Sequence, residues 1–290
     1  MKNAEYYLLD VFTDQPFTGN PLAVFLDTDG LPTSTMQALA NELNLAETVF
    51  LSAANGPNRY SMRIFTPTRE LPFAGHPTVG TAQLLAELKL VNPEQTLILQ
   101  PPIGELVVGY HQGKATFTTA QPAMVADSTI DRATAVELLG LDIHQVIGDP
   151  VVASLGLPFH LIELTNVAAL ESLRISTTIW ENAVIPSNAE QVYLYVMGQT
   201  NDAQTVIQSR MFCTHDSICE DPATGSAAAA LTGYLASLQQ NALQCRIHQG
   251  IEMGRPSVIY TAANGSIKPG FVRVGGNAVM VGKGQIFLRG

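Results

Sequence analysis

Two stretches of the sequence share a pattern that places a reactive side chain where a helix is predicted to begin. Residues 70–82 read ELPFAGHPTVGTA, and residues 219–230 read CEDPATGSAAAA. When Asp221 is aligned with His76, each of these two residues is followed directly by a proline and, four positions after itself, by a glycine. The N–H groups and the positive dipole end of a helix start bind anions. If pseudo-twofold symmetry brings the two starts face to face, they form one anion-binding cleft containing an imidazole and a carboxylate.

A structural explanation of the same residues stays open. Asp is a favoured N-cap residue and Pro is favoured at the first helical position, so Asp221–Pro222 is a sound way to begin any helix. His is a poor N-cap, so capping does not explain the pattern around His76. The repetition of the pattern favours a binding cleft.

The elements that would position these residues form two similar halves. Many short strands separated by Gly, Pro and Asn favour β-barrels or sandwiches over a wound parallel sheet. Helices are predicted at 33–44, 78–90, 131–140 and 223–238, and those at 78–90 and 223–238 are apolar almost all round, which is typical of buried helices. The sequence thus predicts an α+β fold of two pseudo-symmetric domains. We place them at 1–119 and 120–278, with the last strand, about 279–290, joining the first domain.

Composition and charge exclude several classes of protein. The chain has 290 residues, 46% of them apolar and 14% charged, which favours a globular protein of two domains. A net charge of −10 with no run of Lys or Arg argues against a nucleic-acid or anionic-membrane partner. No apolar stretch approaches the ~20 residues of a membrane span. Three cysteines and the lack of a leader after Met1 predict a reduced, cytoplasmic protein.

Five motifs resemble those of the PhzF family of phenazine-biosynthesis-like isomerases, and they span nearly the whole chain in the family's order. They are DVFTDQPFTGNPLAVF (10–25), LNLAETVFL (43–51), RIFTPTRELPFAGHPTVGTA (63–82), CEDPATGSAAAAL (219–231) and QGIEMGRPS (249–257). The resemblance implies a diaminopimelate epimerase-like fold, with two barrel-like domains that each wrap one central helix and an active site in the cleft between them. Related racemases carry a cysteine at each helix start, whereas this sequence has His76 and Asp221, so a two-thiol mechanism is not expected.

The resemblance also assigns roles to residues. Glu47, in LAETVFL, corresponds to the glutamate that moves the proton, although by itself it reads as a solvated residue at a strand edge. Its apolar neighbours Val49, Phe50 and Leu51 would partly desolvate the carboxylate and so raise its pKa. His76 and Asp221 would orient and polarise the substrate or help to pass protons.

Substrate binding is assigned in the same way. The amides around Gly75, Gly225 and Ser226 would bind the substrate carboxylate and any enolate-like charge. Asn20 is a further candidate contact or, equally, a turn residue.

A metal site is the main rival interpretation. Cys213, His215 and Cys219 lie within seven residues, and Cys245 and His248 follow, but the C-x-H-x3-C spacing is not a usual zinc signature. Cys213 in a strand reads better as a small buried apolar residue. The sequence contains no G-x-G-x-x-G after a strand, no P-loop and no G-x-S-x-G, so no metal and no cofactor are expected.

These inferences define the expected function. The chain is expected to be a cofactor-independent isomerase of a small carboxylate-bearing metabolite, acting by a 1,3-proton shift, tautomerisation or epimerisation. A non-catalytic ligand-binding or regulatory protein of the same fold is the alternative. Homodimers are common among such proteins, and the resemblance therefore suggests one.

Overall fold

The computed structural model describes residues 2–54, 56–201, 204–214, 217–239 and 241–288. The chain divides into two compact units, one formed by Met1–Thr118 with Gly275–Gly290 and the other by Thr119–Val274. Each unit combines strands, the longest of eleven residues, with few helices. No helix in the described ranges has the length and apolar character needed to span a bilayer.

The first unit contains two helices of eleven and thirteen residues and the strands that surround them. The helices are α1 (Thr33–Leu43) and α2 (Gly75–Glu87). The strands are β1 (Lys2–Val11), β2 (Asn20–Phe25), β3 (Glu47–Ala53), β4 (Arg59–Phe65), β5 (Glu70–Leu71), β6 (Leu97–Gln100), β7 (Leu106–His111), β8 (Lys114–Thr118) and, from the end of the chain, β18 (Ala278–Leu288).

The second unit has one long buried helix and several short ones. The helices are α3 (Arg132–Leu139), α4 (Val167–Glu171), α5 (Thr177–Ile179) and α6 (Gly225–Ser237), with a 3₁₀ turn at Ile143–Gln145 and a π turn at Trp180–Val184. The strands are β9 (Met124–Asp127), β10 (Val146–Ser154), β11 (Pro158–Leu164), β12 (Val192–Asn201), β13 (Gln204–Thr214), β14 (Ile218–Asp221), β15 (Leu243–Gln249) and β16 (Ser257–Ala263). Strand β17 (Val272–Gly276) runs across the boundary between the units.

The two units repeat one order of strand pairings. In the first, β1 is antiparallel to β2, β2 parallel to β3, β3 antiparallel to β4, and β4 antiparallel to β5 but parallel to β6. In the second, β10 to β15 follow the same sequence of antiparallel and parallel pairings. The predicted α+β class with two pseudo-symmetric halves is thereby confirmed.

A helix that is buried on nearly all sides lies at the centre of each unit. Ten of the thirteen residues of α2 are buried, and strands β1, β2, β3, β8 and β18 pack against it. Nine of the thirteen residues of α6 are buried, most of them alanines. Small side chains make this possible: a Cβ at Gly80 would lie 2.6 Å from a methyl group of Leu22 and 2.7 Å from one of Val11, so a larger residue would force these buried side chains to shift.

Candidate active site

A carboxyl group and an imidazole lie side by side in the first unit. Glu47 is the first residue of β3, and His76 is the second residue of α2. His76 Nε2 is 3.5 Å from Glu47 Oε2, and the two side chains are 6% and 18% exposed. The separation is slightly longer than a hydrogen bond, and groups that transfer protons often come within hydrogen-bond distance only when a substrate is bound.

Burial keeps His76 neutral. The loss of water around the ring lowers its pKa to about 3, and a hydrogen bond to the Pro21 backbone only partly offsets that effect. Because proline has no N–H, the ring nitrogen must donate to the Pro21 carbonyl. Nε2 makes no hydrogen bond to any described residue, so the donor is Nδ1. The remaining lone pair, on Nε2, therefore lies next to Glu47.

The strand that carries Pro21 begins with Asn20, which is fully buried. Its approach is fixed by Gly19, at φ +68°, where a Cβ would lie 2.4 Å from the Val11 carbonyl oxygen. The sequence left Asn20 as either a substrate contact or a turn residue. The structure places it at a strand start, one residue before the carbonyl that orients His76.

The start of α2 presents backbone donors without a capping side chain. Its N-cap residue, Ala74, makes no side-chain hydrogen bond, and Gly75 is the first helical residue. N–H groups in the first turn have no acceptor within the helix, and the helix dipole adds positive potential there. The amides of Gly75 and His76 thus form a place where a carboxylate or an enolate oxygen can bind.

The second unit builds the start of α6 around a glutamine. Gln249 Nε2 donates to the Asp221 carbonyl (2.8 Å) and to Thr224 Oγ1 (3.1 Å), and the Thr224 amide donates to Gln249 Oε1 (3.3 Å). The Thr224 hydroxyl also donates to the Asp221 carboxylate. Gln249 is fully buried, and our sequence interpretation missed it. The signal was present: Gln249 continues the alternating buried positions Leu243, Cys245 and Ile247 of β15, and an uncharged polar residue on a buried face usually forms hydrogen bonds there.

The structure corrects the capping interpretation of Asp221. Asp221 is the last residue of β14, and α6 begins four residues later at Gly225 with Thr224 as the N-cap. The Asp221 side chain therefore does not cap the helix; it accepts a hydrogen bond from the residue that occupies the N-cap.

The structure also corrects the alignment of the two stretches. Helices α2 and α6 each follow a short antiparallel hairpin. In each hairpin an arginine forms a bidentate ion pair with a glutamate and stacks over the phenylalanine two residues after it. The residues are Arg63, Phe65 and Glu70 in the first unit and Arg210, Phe212 and Glu220 in the second. In each hairpin the phenylalanine pairs with the glutamate across the ladder. This match shifts the alignment by five residues.

On the corrected alignment, Gly75 corresponds to Gly225 and His76 corresponds to Ser226. Asp221 corresponds to Leu71, not to His76, and Gly225 no longer corresponds to Gly80. The two equivalent phenylalanines also pair with the preceding strands, Phe65 with Thr48 and Phe212 with Val192. Thr48 therefore corresponds to Val192, and the residue before each, Glu47, corresponds to Gln191. The carboxyl–imidazole pair is therefore a feature of the first unit alone, while the second unit has an amide and a hydroxyl at those positions.

The rival metal interpretation involves residues of the second unit. Cys213 and Cys219 face each other on β13 and β14, whereas His215 lies outside the described residues. Within the described ranges, no group of three His, Cys, Asp or Glu residues is arranged to hold a metal ion. Cys245 is buried, and burial raises the pKa of its thiol to about 11.

Comparison with known proteins places this arrangement in a family. The family model for phenazine biosynthesis-like proteins, PhzC-PhzF, matches residues 9–284. An uncharacterized isomerase of Mesorhizobium japonicum is 37% identical, over 99% of this chain and 100% of the relative. Trans-2,3-dihydro-3-hydroxyanthranilate isomerase of Pseudomonas chlororaphis is 33% identical, over 98% and 99%.

The crystal structure of a Bacillus anthracis phenazine biosynthesis protein of the PhzF family superposes with a TM-score of 0.87 at 22% identity, covering 99% of this chain and 100% of that one, which confirms the expected fold. The names of the relatives confirm the expected enzyme class, an isomerase. The full-length matches show that the chain belongs to the phenazine biosynthesis-like (PhzC-PhzF) family.

Proposed function

We propose that this enzyme moves a proton between two carbon atoms of a small carboxylate-bearing metabolite, without a cofactor. The observation that carries the proposal is the contact between Glu47 and His76, at 3.5 Å in a shielded part of the first unit. A carboxyl group beside a neutral imidazole can hold a proton while the substrate rearranges. Neither group needs a metal or an organic cofactor for that step.

The proposed sequence of proton movements begins with the Glu47 carboxylate. It removes a proton from an acidic C–H group, and the electron pair is delocalised into the substrate as an enolate-like anion. The protonated Glu47 then donates a hydrogen bond to the lone pair on His76 Nε2. Because burial lowers the pKa of His76 to about 3, the proton stays on Glu47. Glu47 returns it to a second carbon, so atoms and charge balance without any other reactant.

Backbone donors at the helix starts are the proposed anion-binding groups. The amides of Gly75 and His76 at the positive end of α2 would stabilise the negative charge that develops on the substrate. We assign Gly225 and Ser226 to substrate binding because the second helix start repeats the first, and Asp221 because its carboxylate accepts a hydrogen bond from the N-cap residue of α6. Asn20, next to the carbonyl that orients His76, is the proposed further contact.

The named relative supports the proposed substrate class. The Pseudomonas chlororaphis enzyme is an isomerase of trans-2,3-dihydro-3-hydroxyanthranilate, a small unsaturated acid. In such a compound, removal of one C–H proton produces an anion shared over several carbons. A 1,3-shift is therefore the reaction we propose for this chain, ahead of epimerisation at a single carbon.

Conversion of the acid to its isomer reports the reaction directly. The protein is incubated in D2O with trans-2,3-dihydro-3-hydroxyanthranilate, and the isomer is followed by NMR. Its deuterium content, measured by mass spectrometry, shows how much of the Glu47 proton exchanges with solvent before it is returned. We expect conversion with the wild-type protein and with Glu42→Gln, a matched control on an exposed glutamate of α1. We expect Glu47→Gln to lose at least about 100-fold in rate, as for removal of a general base.

Two results would contradict the proposal. Conversion that persists at the wild-type rate in Glu47→Gln removes Glu47 from its role. No conversion with the wild-type protein rejects the substrate class.

A further inference from the structure

A second pair of reactive side chains lies outside the proposed catalytic residues. Cys213 of β13 and Cys219 of β14 are directly opposite each other in the antiparallel ladder. Their Sγ atoms are 3.5 Å apart, and the Cys219 thiol also approaches the Cys213 carbonyl oxygen at 3.6 Å. Neither sulfur takes part in the proton movements described above.

The backbone between the two cysteines suits a covalent bond. Residues directly opposite in an antiparallel pair have Cα atoms about 4.5–5.5 Å apart. A disulfide requires Cα atoms roughly 4.4–6.8 Å apart and a sulfur–sulfur bond of about 2.05 Å. The two Sγ atoms thus need to approach by only about 1.5 Å, which small side-chain rotations provide without moving the strands.

The two thiols differ in their access to solvent. Cys213 is buried, and Cys219 is half-buried, so a small oxidant reaches Cys219 first. The same rung of the hairpin in the first unit contains Thr66 and Arg69, joined by hydrogen bonds from the Thr66 amide (2.8 Å) and hydroxyl (3.1 Å) to the Arg69 carbonyl. In the first unit the corresponding pair is therefore joined by hydrogen bonds alone, and the facing thiols occur in the second unit.

We propose that Cys213 and Cys219 form a reversible redox pair that becomes an intramolecular disulfide. The oxidant is a small-molecule disulfide. The Cys219 thiolate attacks one of its sulfurs, the S–S bond of the oxidant breaks, and one small thiolate leaves. Cys213 gives its proton to solvent and attacks the Cys219 sulfur, releasing the second small thiolate. Two protein thiols are oxidised and one disulfide is reduced to two thiols.

The bond would join β14 to β13 beside Glu220 and close to Asp221, one of the proposed substrate contacts. Glu220, one residue on, holds Arg210 through two hydrogen bonds of 2.8 Å, and Asp221 follows at the end of β14. Oxidation would therefore fix the strand that leads into the start of α6. The modification itself does not depend on the isomerase reaction.

Thiol counting tests the pair without any enzyme assay. The native protein is treated with oxidised glutathione, then denatured, alkylated and weighed. The chain has three cysteines, so we expect three alkyl groups before oxidation and one after it, on Cys245. A peptide map should show Cys213 joined to Cys219, and dithiothreitol should restore all three thiols.

Two variants act as controls. Cys245→Ser should still form the disulfide, with no alkyl groups left after oxidation. Cys219→Ser should keep the Cys213 and Cys245 thiols free of an internal disulfide. Three alkyl groups after oxidation, a glutathione adduct that remains on Cys219, a bond to Cys245, or a disulfide between chains would each overturn the proposal.

Discussion

His76 and Ser226 hold the same position in two copies of one motif. Each is the second residue of a thirteen-residue buried helix that follows a short hairpin strand. In the first copy the side chain is an imidazole 3.5 Å from a carboxyl group, and in the second it is a hydroxyl. The repeat thus keeps the backbone donors of both helix starts, whereas the carboxyl–imidazole pair is present only in the first copy.

Replacing His76 tests how it acts on Glu47. His76→Asn keeps a donor for the Pro21 carbonyl but removes the lone pair that would accept from protonated Glu47. A hydrogen bond between two neutral groups is worth about 0.5–1.5 kcal/mol, so we expect kcat/KM to fall roughly 2- to 12-fold.

The pH profile of His76→Asn separates this role from titration of the imidazole. Because burial lowers the pKa of His76 to about 3, neither wild type nor variant should show a histidine inflection between about pH 5.5 and 8. An inflection near neutrality that disappears in His76→Asn would contradict the neutral imidazole.

Acid should destabilise the second unit through His160. Its Nδ1 is 2.8 Å from Ser128 Oγ and its Nε2 is 2.8 Å from Ser187 Oγ. Burial lowers its pKa to about 4, below the value near 6.5 of the unfolded chain. The stabilisation is thus complete above pH 6.5 and is lost as the pH falls towards 4, at about 1.4 kcal/mol per pH unit.

Urea unfolding at several pH values measures this effect. The slope of the unfolding free energy against pH, and not its absolute value, is the readout, because any replacement of His160 also removes hydrogen bonds. We expect His160→Asn to have a shallower slope than wild type between about pH 6.5 and 4.5. The exposed His111→Asn is the control, and equal slopes for all three proteins would reject the prediction.

Two glycines with the same backbone conformation should differ in their tolerance of alanine. Gly250 has φ +76°, and a Cβ there would lie 2.5 Å from the Pro222 carbonyl oxygen and 2.6 Å from that of Arg255. Gly254 has φ +70° with open space around it. Both changes carry the conformational cost of about 1–2 kcal/mol, and Gly250→Ala adds roughly 1–3 kcal/mol of steric overlap. Chemical denaturation measures both, and equal losses would contradict the close approach.

The two repeated ion pairs should differ in their contribution to stability. Arg210 and Glu220 have side chains 12% and 14% exposed, and Arg210 also donates to the Leu170 carbonyl at 2.9 Å. Arg63 and Glu70 are more than twice as exposed, at 31% and 29%. We expect Glu220→Gln to cost about 3 kcal/mol, because it removes the hydrogen-bonded counter-charge of a shielded guanidinium, and Glu70→Gln about 1 kcal/mol. A larger loss for Glu70→Gln in thermal or urea unfolding would reverse this ranking.

Strand density and the two small-residue helices were enough to predict the fold class. The expected helices at 33–44 and 223–238 appear as Thr33–Leu43 and Gly225–Ser237. The helix expected from residue 78 begins at Gly75 instead. Proline is tolerated in a first turn because its missing N–H has no helical acceptor there, so Pro77 lies inside the helix and does not precede it.

The finer geometry was beyond sequence reasoning for identifiable reasons. The alignment on Asp221 and His76 relied on two prolines, whereas the structural repeat depends on cross-strand pairing of Phe65 with Glu70 and of Phe212 with Glu220. Pro21 orients His76 through its backbone carbonyl group, and every residue has such a group, so the residue type gives no sign of this role. Glu47 was selected only through family resemblance, because no local pattern shows that a helix 29 residues later shields it.

The pairing of the first strand with the last has a consequence for how the chain folds. Strand β1 is bound along its whole length by β18, from Lys2 opposite Leu288 to Val11 opposite Ala278. All of residues 119–274, the second unit, lie between those two strands in the sequence. During synthesis, the edge of β1 that pairs with β18 therefore stays without its partner until the second unit has been made. Such distant pairing is slow to form. In pulse-labelled refolding, the amides of β1 and β18 should gain protection from hydrogen exchange after those of β12 and β13. Earlier protection of β1 and β18 would show that their pairing forms first.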